Sequence, residues 1–141
     1  MRMQATSWRH IRYPEPLRAG HTISITAPSS GVVEKLHPRL DLCLRHLREL
    51  GFDVVEGRCL RNDCKHVSAP REERARDFMA LWDDPQVKSI LPPWGGELLI
   101  NLLPCLNFDD LAAGTPKWVL GYSDTSTLLF AITIMTGSPC E

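Results

Sequence analysis

His21-Thr22-Ile23-Ser24-Ile25-Thr26-Ala27-Pro28-Ser29-Ser30-Gly31 alternates polar and apolar residues as far as Ala27, then breaks into a proline, two serines and a glycine. A period of two puts one set of side chains on one face, so the first part reads as a strand and the second as a turn. Beyond the turn the period changes. Leu36, Leu40, Cys43, Leu44, Leu47 and Leu50 recur at helical spacing and Gly51 stops them, which predicts an amphipathic helix. Phe52 to Gly57 is a second short strand. Ser68 stands where a helix cap belongs, ahead of Pro70, Glu72 and Glu73. Ala75, Phe78, Met79 and Trp82 give that helix a buried face, and Asp83-Asp84-Pro85 ends it. Val87 to Leu91 is a third strand. Glu97 to Leu103 follows as a short apolar helix stopped at Pro104, and Phe108 to Leu111 as a helical turn. Lys117 to Gly121 is a fourth strand, and Thr125 to Met135 a last helix rich in Leu128, Leu129, Phe130, Ile132 and Ile134. Strands alternating with helices predict an α/β fold, a parallel sheet flanked by helices.

The remaining composition narrows the function. The chain has 141 residues, of which 43% are hydrophobic and 23% charged, enough for one domain with a real core. Sixteen basic and 17 acidic residues leave a net charge of −1, which disfavours a nucleic-acid partner. No apolar run is long enough to span a bilayer, and the N-terminus lacks the apolar stretch of a secretory signal. Residues 1–16 read as an irregular, solvated lead-in, and the first 18 residues set Arg2, Arg9, Arg12 and Arg18 against Glu15. Five cysteines at scattered spacings make a poor disulfide framework and fit free thiols in a reducing cytoplasm. Cys59, Cys64 and His66 are close in sequence but lack the further ligands of a closed zinc site, so no metal is expected.

In a parallel sheet, ligands gather at the carboxyl ends of the strands. Three strand-exit turns stand there: Pro28-Ser29-Ser30-Gly31, Trp94-Gly95-Gly96 and Gly121-Tyr122-Ser123-Asp124. In the last of them a serine on a tight turn would expose its hydroxyl above the sheet. The amides of the helix start behind it could stabilise an oxyanion. This is the logic of a nucleophile elbow, although the full G-x-S-x-G pattern is not met. The same tetrapeptide also fits a plain helix start, with Ser123 or Asp124 as its cap, which would make the chain a non-catalytic α/β remnant or interaction domain. Gly95 and Gly96 let a backbone approach a ligand closely and could offer a second oxyanion donor. They equally suit an ordinary turn. A serine nucleophile needs a base, usually histidine. The candidates His10, His21, His37, His46 and His66 all precede Ser123. His37 and His46 read as surface residues, and His21 opens a strand at the far end of the sheet, so no base is evident.

Taken together, the turns resemble the LD-carboxypeptidase and microcin-immunity family of serine peptidases. The resemblance rests on Ile25 to Gly31, on Trp94-Gly95-Gly96 followed by Asn101-Leu102-Leu103-Pro104, and on Lys117 to Ser126. Leu50 to Val54 and Ser68 to Ala75 fit in the same order, so residues 17–137 match the N-terminal α/β domain of that family. The resemblance implies Ser123 as nucleophile, the Asp124 N–H as one oxyanion donor and a Gly95 or Gly96 N–H as the other. It implies a glutamate and a histidine supplied by a C-terminal domain. It further implies cytoplasmic, metal-free and cofactor-free proteins, commonly homodimers, that act on murein tetrapeptides or on peptidyl-nucleotides. The sequence departs from the family in ending at Glu141, with no counterpart of that glutamate and histidine. The expectation is therefore a truncated chain with little activity of its own and with apolar surface left open on its last helix. Glu97 stands where many murein-cleaving members carry an aromatic residue, which points toward the microcin-immunity branch.

Overall fold

A computed structural model describes residues 11–140. Four strands, β1 (Thr22–Ile25), β2 (Asp53–Glu56), β3 (Val87–Leu91) and β4 (Trp118–Val119), form one sheet in the order β2-β1-β3-β4, and every pairing is parallel. Four helices connect or follow them: α1 (His37–Glu49), α2 (Arg71–Asp83), α3 (Phe108–Ala113) and α4 (Thr125–Thr136). Short 3-10 segments cover Glu34–Leu36 and Leu99–Cys105. The fold is the predicted parallel sheet with flanking helices. None of the described helices is long and apolar enough to cross a membrane.

Two apolar clusters sandwich the sheet. Ile23, Ile25, Leu40, Leu44 and Leu60 pack under α1. Phe78, Trp82, Ile90, Leu99, Leu102, Val119, Leu128 and Ile132 join α2, α4 and the second 3-10 segment on the other core. Apart from β2, which is mostly exposed and held by its pairing with β1, these elements offer an apolar stripe that another covers. Asp77 on α2 fixes the strand ends. Its carboxylate accepts from the Thr26 hydroxyl at 2.5 Å and from the Arg58 and Cys59 amides at 2.9 and 3.3 Å. Burial, with Asp77 alongside, pushes the Cys59 thiol up to about 11, so it stays a neutral core group.

Several local readings change. Ser68 caps nothing: Pro70 is the N-cap residue of α2, and the buried Ser68 hydroxyl donates instead to Ala27 O at 2.5 Å. Pro104 does not stop its segment, because a 3-10 turn continues through it to Cys105. Residues 11–16 of the lead-in are mostly exposed, and a few bonds tie them to the rest of the chain. Arg12 N donates to Gly137 O and its guanidinium to Ala112 O at 2.6 Å, while Glu15 accepts the Trp118 indole on its carbonyl and pairs with Lys88 at 2.9 Å. Arg2, Arg9 and His10 lie outside the described residues. His37 is half-buried, with its Nε2 2.8 Å from Val32 O, and is not a free surface group.

With β2 on one side of β1 and β3 on the other, the chain reverses direction across the sheet between β1 and β3. A crevice forms at such a switch point, beyond the carboxyl ends of the strands.

Candidate active site

Three of the four loops above the sheet carry the expected residues, and the fourth adds one more. The turn after β4 is closed by the Thr125 hydroxyl, which donates to Tyr122 O. It leaves Ser123 exposed and at a φ of 60°, in the left-handed region. That conformation costs a non-glycine residue about 1–3 kcal/mol and persists only where its surroundings impose it. Ser126 N and Thr127 N then donate back to Ser123 O and Asp124 O, starting α4. Asp124 is the N-cap residue by position, yet its side chain makes no cap hydrogen bond. The Ser123 hydroxyl caps no amide either and finds no hydrogen-bond partner among the described residues.

The Asp124 carboxylate points away from its own helix. Its Oδ2 accepts from the Ser29 hydroxyl at 2.6 Å and from Leu99 N at 3.3 Å, while its Oδ1 is buried without a partner. One side chain therefore ties the loops after β1, β3 and β4. The glycine pair lies against this junction. A Cβ on Gly95 would stand 2.8 Å from Ser123 Cβ and 2.9 Å from Asp124 Oδ1; one on Gly96 would collide with Ser29 Oγ. Only glycine permits that approach. The amides of Gly95, Gly96 and Asp124 have no acceptor among the described residues, so they remain available to an incoming oxygen.

The loop after β2, expected only as a surface segment, supplies His66. Lys65 and His66 both have positive φ, and His66 O accepts from the Ser30 hydroxyl at 2.9 Å. A cavity of about 430 Å³ opens between Ser30, His66, Trp94, Glu97, Tyr122, the two glycines and Ser123. A second cavity of about 350 Å³, mainly apolar, runs beside it under α1 and shares Trp94 and Tyr122 as its wall. Behind the loops sits Arg74, buried and holding Pro28 O at 2.6 Å and Ala69 O at 2.9 Å; burial lowers its pKa from the ordinary arginine value.

Ser123, Asp124, Gly95 and Gly96 thus stand together in the structure. Glu97 lines the same cavity. Ser29 and the approach of His66 were not foreseen. The turn Pro28 to Gly31 signals contact with a ligand or loop, but nothing in its spacing says which serine faces Asp124. His66 stands in a loop without periodicity, which gives no direction for a side chain. No described histidine hydrogen-bonds Ser123. His21 sits at the opposite end of β1, where its Nδ1 accepts from Arg18 N, and His46 lies 3.9 Å from Glu49 on the outer face of α1.

Comparison with known proteins bears on this geometry. The family model for the LD-carboxypeptidase N-terminal domain matches residues 23–140. The microcin C7 self-immunity protein of Escherichia coli is 33% identical over 128 residues, covering 91% of this chain and 37% of the relative. A solved structure of a microcin C7 self-immunity protein in complex with aspartyl sulfamoyl adenosine gives a TM-score of 0.82 at 32% identity, over 88% of this chain and 37% of that one. A muramoyltetrapeptide carboxypeptidase from Oxalobacter formigenes gives 0.63 at 29% identity, over 79% of this chain and 36% of that one. The chain spans little more than a third of the length of these relatives.

Proposed function

The chain belongs to the LD-carboxypeptidase family, and from that membership we propose that it carries the nucleophile side of a serine amide hydrolase, with Ser123 as the nucleophile. The observation that carries this reading is the left-handed φ of Ser123 on a strand-to-helix turn, with its hydroxyl exposed and bonded to nothing described. A serine acting only as a helix cap would need neither feature.

In the proposed reaction the Ser123 Oγ attacks the carbonyl carbon of an amide. The carbonyl oxygen takes the electron pair and is received by the Asp124 N–H and by a Gly95 or Gly96 N–H. Expulsion of the amine, which takes up a proton, leaves an acyl-serine, and water then releases the acid. The proton leaving Ser123 needs a base. By resemblance to the family, we assign that role to a histidine held by a glutamate, both supplied from outside residues 11–140; no described histidine hydrogen-bonds Ser123. Of the two substrate classes, a peptidyl-nucleotide is the better fit. The fold is nearer to the immunity protein than to the murein enzyme, by TM-scores of 0.82 and 0.63. Glu97 adds a carboxylate at the cavity rim.

Hydrolysis of an aminoacyl sulfamoyl nucleotide and of an L,D-tetrapeptide tests this. The 141-residue chain alone should turn over neither at an enzymatic rate. Adding the C-terminal portion of a family member should restore cleavage, faster for the nucleotide, and Ser123→Ala should abolish it. Fast hydrolysis by the chain alone would overturn the external base and put His66 first among its own residues.

A further inference from the structure

We propose that Ser29 is a positioning residue for the nucleophile turn: through the Asp124 carboxylate, its hydroxyl holds Ser123 in the left-handed conformation and aims the Asp124 N–H. The functional meaning of this clamp rests on the reading of Ser123 as nucleophile; its geometry does not.

Ser29 is fully buried, at 0% exposure, although it belongs to a loop. A buried hydroxyl needs a partner, and Ser29 has an ionisable one, Asp124 Oδ2 at 2.6 Å. An aspartate at a helix N-cap position ordinarily accepts from the amides of its own first turn. Asp124 does not. Its carboxylate faces the loops after β1 and β3, where its second donor is the longer bond from Leu99 N at 3.3 Å. Turning the side chain away from α4 fixes the backbone of Asp124 from the outside. The neighbouring peptide, and with it φ of Ser123, is then set by where the carboxylate is held.

Ser29 itself is a rigid end for that bond. The three carbonyls around it are all occupied: Ala27 O by the Ser68 hydroxyl at 2.5 Å, Pro28 O by Arg74 at 2.6 Å, and Ser29 O by Ser68 N at 2.9 Å. The close approach of Gly96 covers the Ser29 hydroxyl from above. The strained turn on β4 is thereby over-determined from β1, the condition under which such strain persists. Ser29 touches no reacting atom, so its effect is on position.

The test is NMR of the isotope-labelled protein, reading the three-bond amide-to-α-proton coupling of Ser123, which depends on φ, and the amide shift of Asp124. Two variants separate bond from volume: Ser29→Ala removes the hydroxyl, and Ser29→Cys fills the space with a weak donor. Both should move the Ser123 coupling away from its left-handed value and shift the Asp124 amide, with the amides of α2 and β3 unmoved. Three results would overturn the proposal. Neither probe moves in either variant; Ser29→Ala moves them while Ser29→Cys does not; or the changes spread over the whole sheet. The readout needs no turnover, so a protein that stays inert even with the C-terminal portion of a family member added, but whose Ser123 still responds to Ser29, would end the hydrolase reading and leave the clamp standing.

Discussion

Ser123 holds a left-handed φ of 60° without the glycine that would make it easy. A Cβ there costs about 1–2 kcal/mol, part of which a glycine would give back as unfolded-state entropy. Ser123→Gly should therefore be more stable than wild type by up to about 1 kcal/mol, whereas Ser123→Ala, which keeps the Cβ, should lie within about 0.5 kcal/mol of it. Urea midpoints compare the three proteins, and a glycine variant no more stable than the alanine variant would contradict the strain. At this scale the sequence was legible in part. Gly121-Tyr122-Ser123-Asp124 and the glycine pair could be singled out because turns after strands have few residue solutions. The inward turn of the Asp124 carboxylate could not, since it depends on Ser29 and Leu99, which are distant in the chain.

α4 shows the same contrast between pattern and context. Its twelve residues hold Leu128 and Ile132 fully buried, while Phe130, Ile134 and Met135 are 70%, 62% and 52% exposed. The excess of apolar residues was read from the sequence as surface left open, and the described chain has that surface. Such a face favours association. Phe130→Gln with Ile134→Gln should leave the unfolding midpoint within about 0.5 kcal/mol of wild type, because neither side chain is packed. The pair should shift sedimentation at high concentration toward monomer. Unchanged sedimentation of a self-associating wild type would place the contact elsewhere. Strands and long helices were legible because their periods repeat over many residues. Ser68 misled because a cap depends on backbone geometry that its sequence position does not fix. Pro104 misled because it lies inside the turn that Leu106 N closes on Leu103 O, a position whose own amide is not used.

Across the whole molecule, four loops converge at one edge of a parallel sheet, and the point between β1 and β3 gives them room. The alternation of strand and helix was enough to place three of these loops there. The loop after β2 escaped, since its residues 57–68 have neither period nor a turn motif, yet its His66 reaches the cavity beside Ser123. On the proposed reading, this edge makes Ser123 unlike any other exposed serine. Reaction with a fluorophosphonate in the presence of the C-terminal portion of a family member, which supplies the base, read by peptide mass spectrometry, checks this. One adduct is expected, on the peptide carrying Ser123, absent from Ser123→Ala. An unmodified Ser123, or adducts formed equally on other exposed serines such as Ser126, would contradict it.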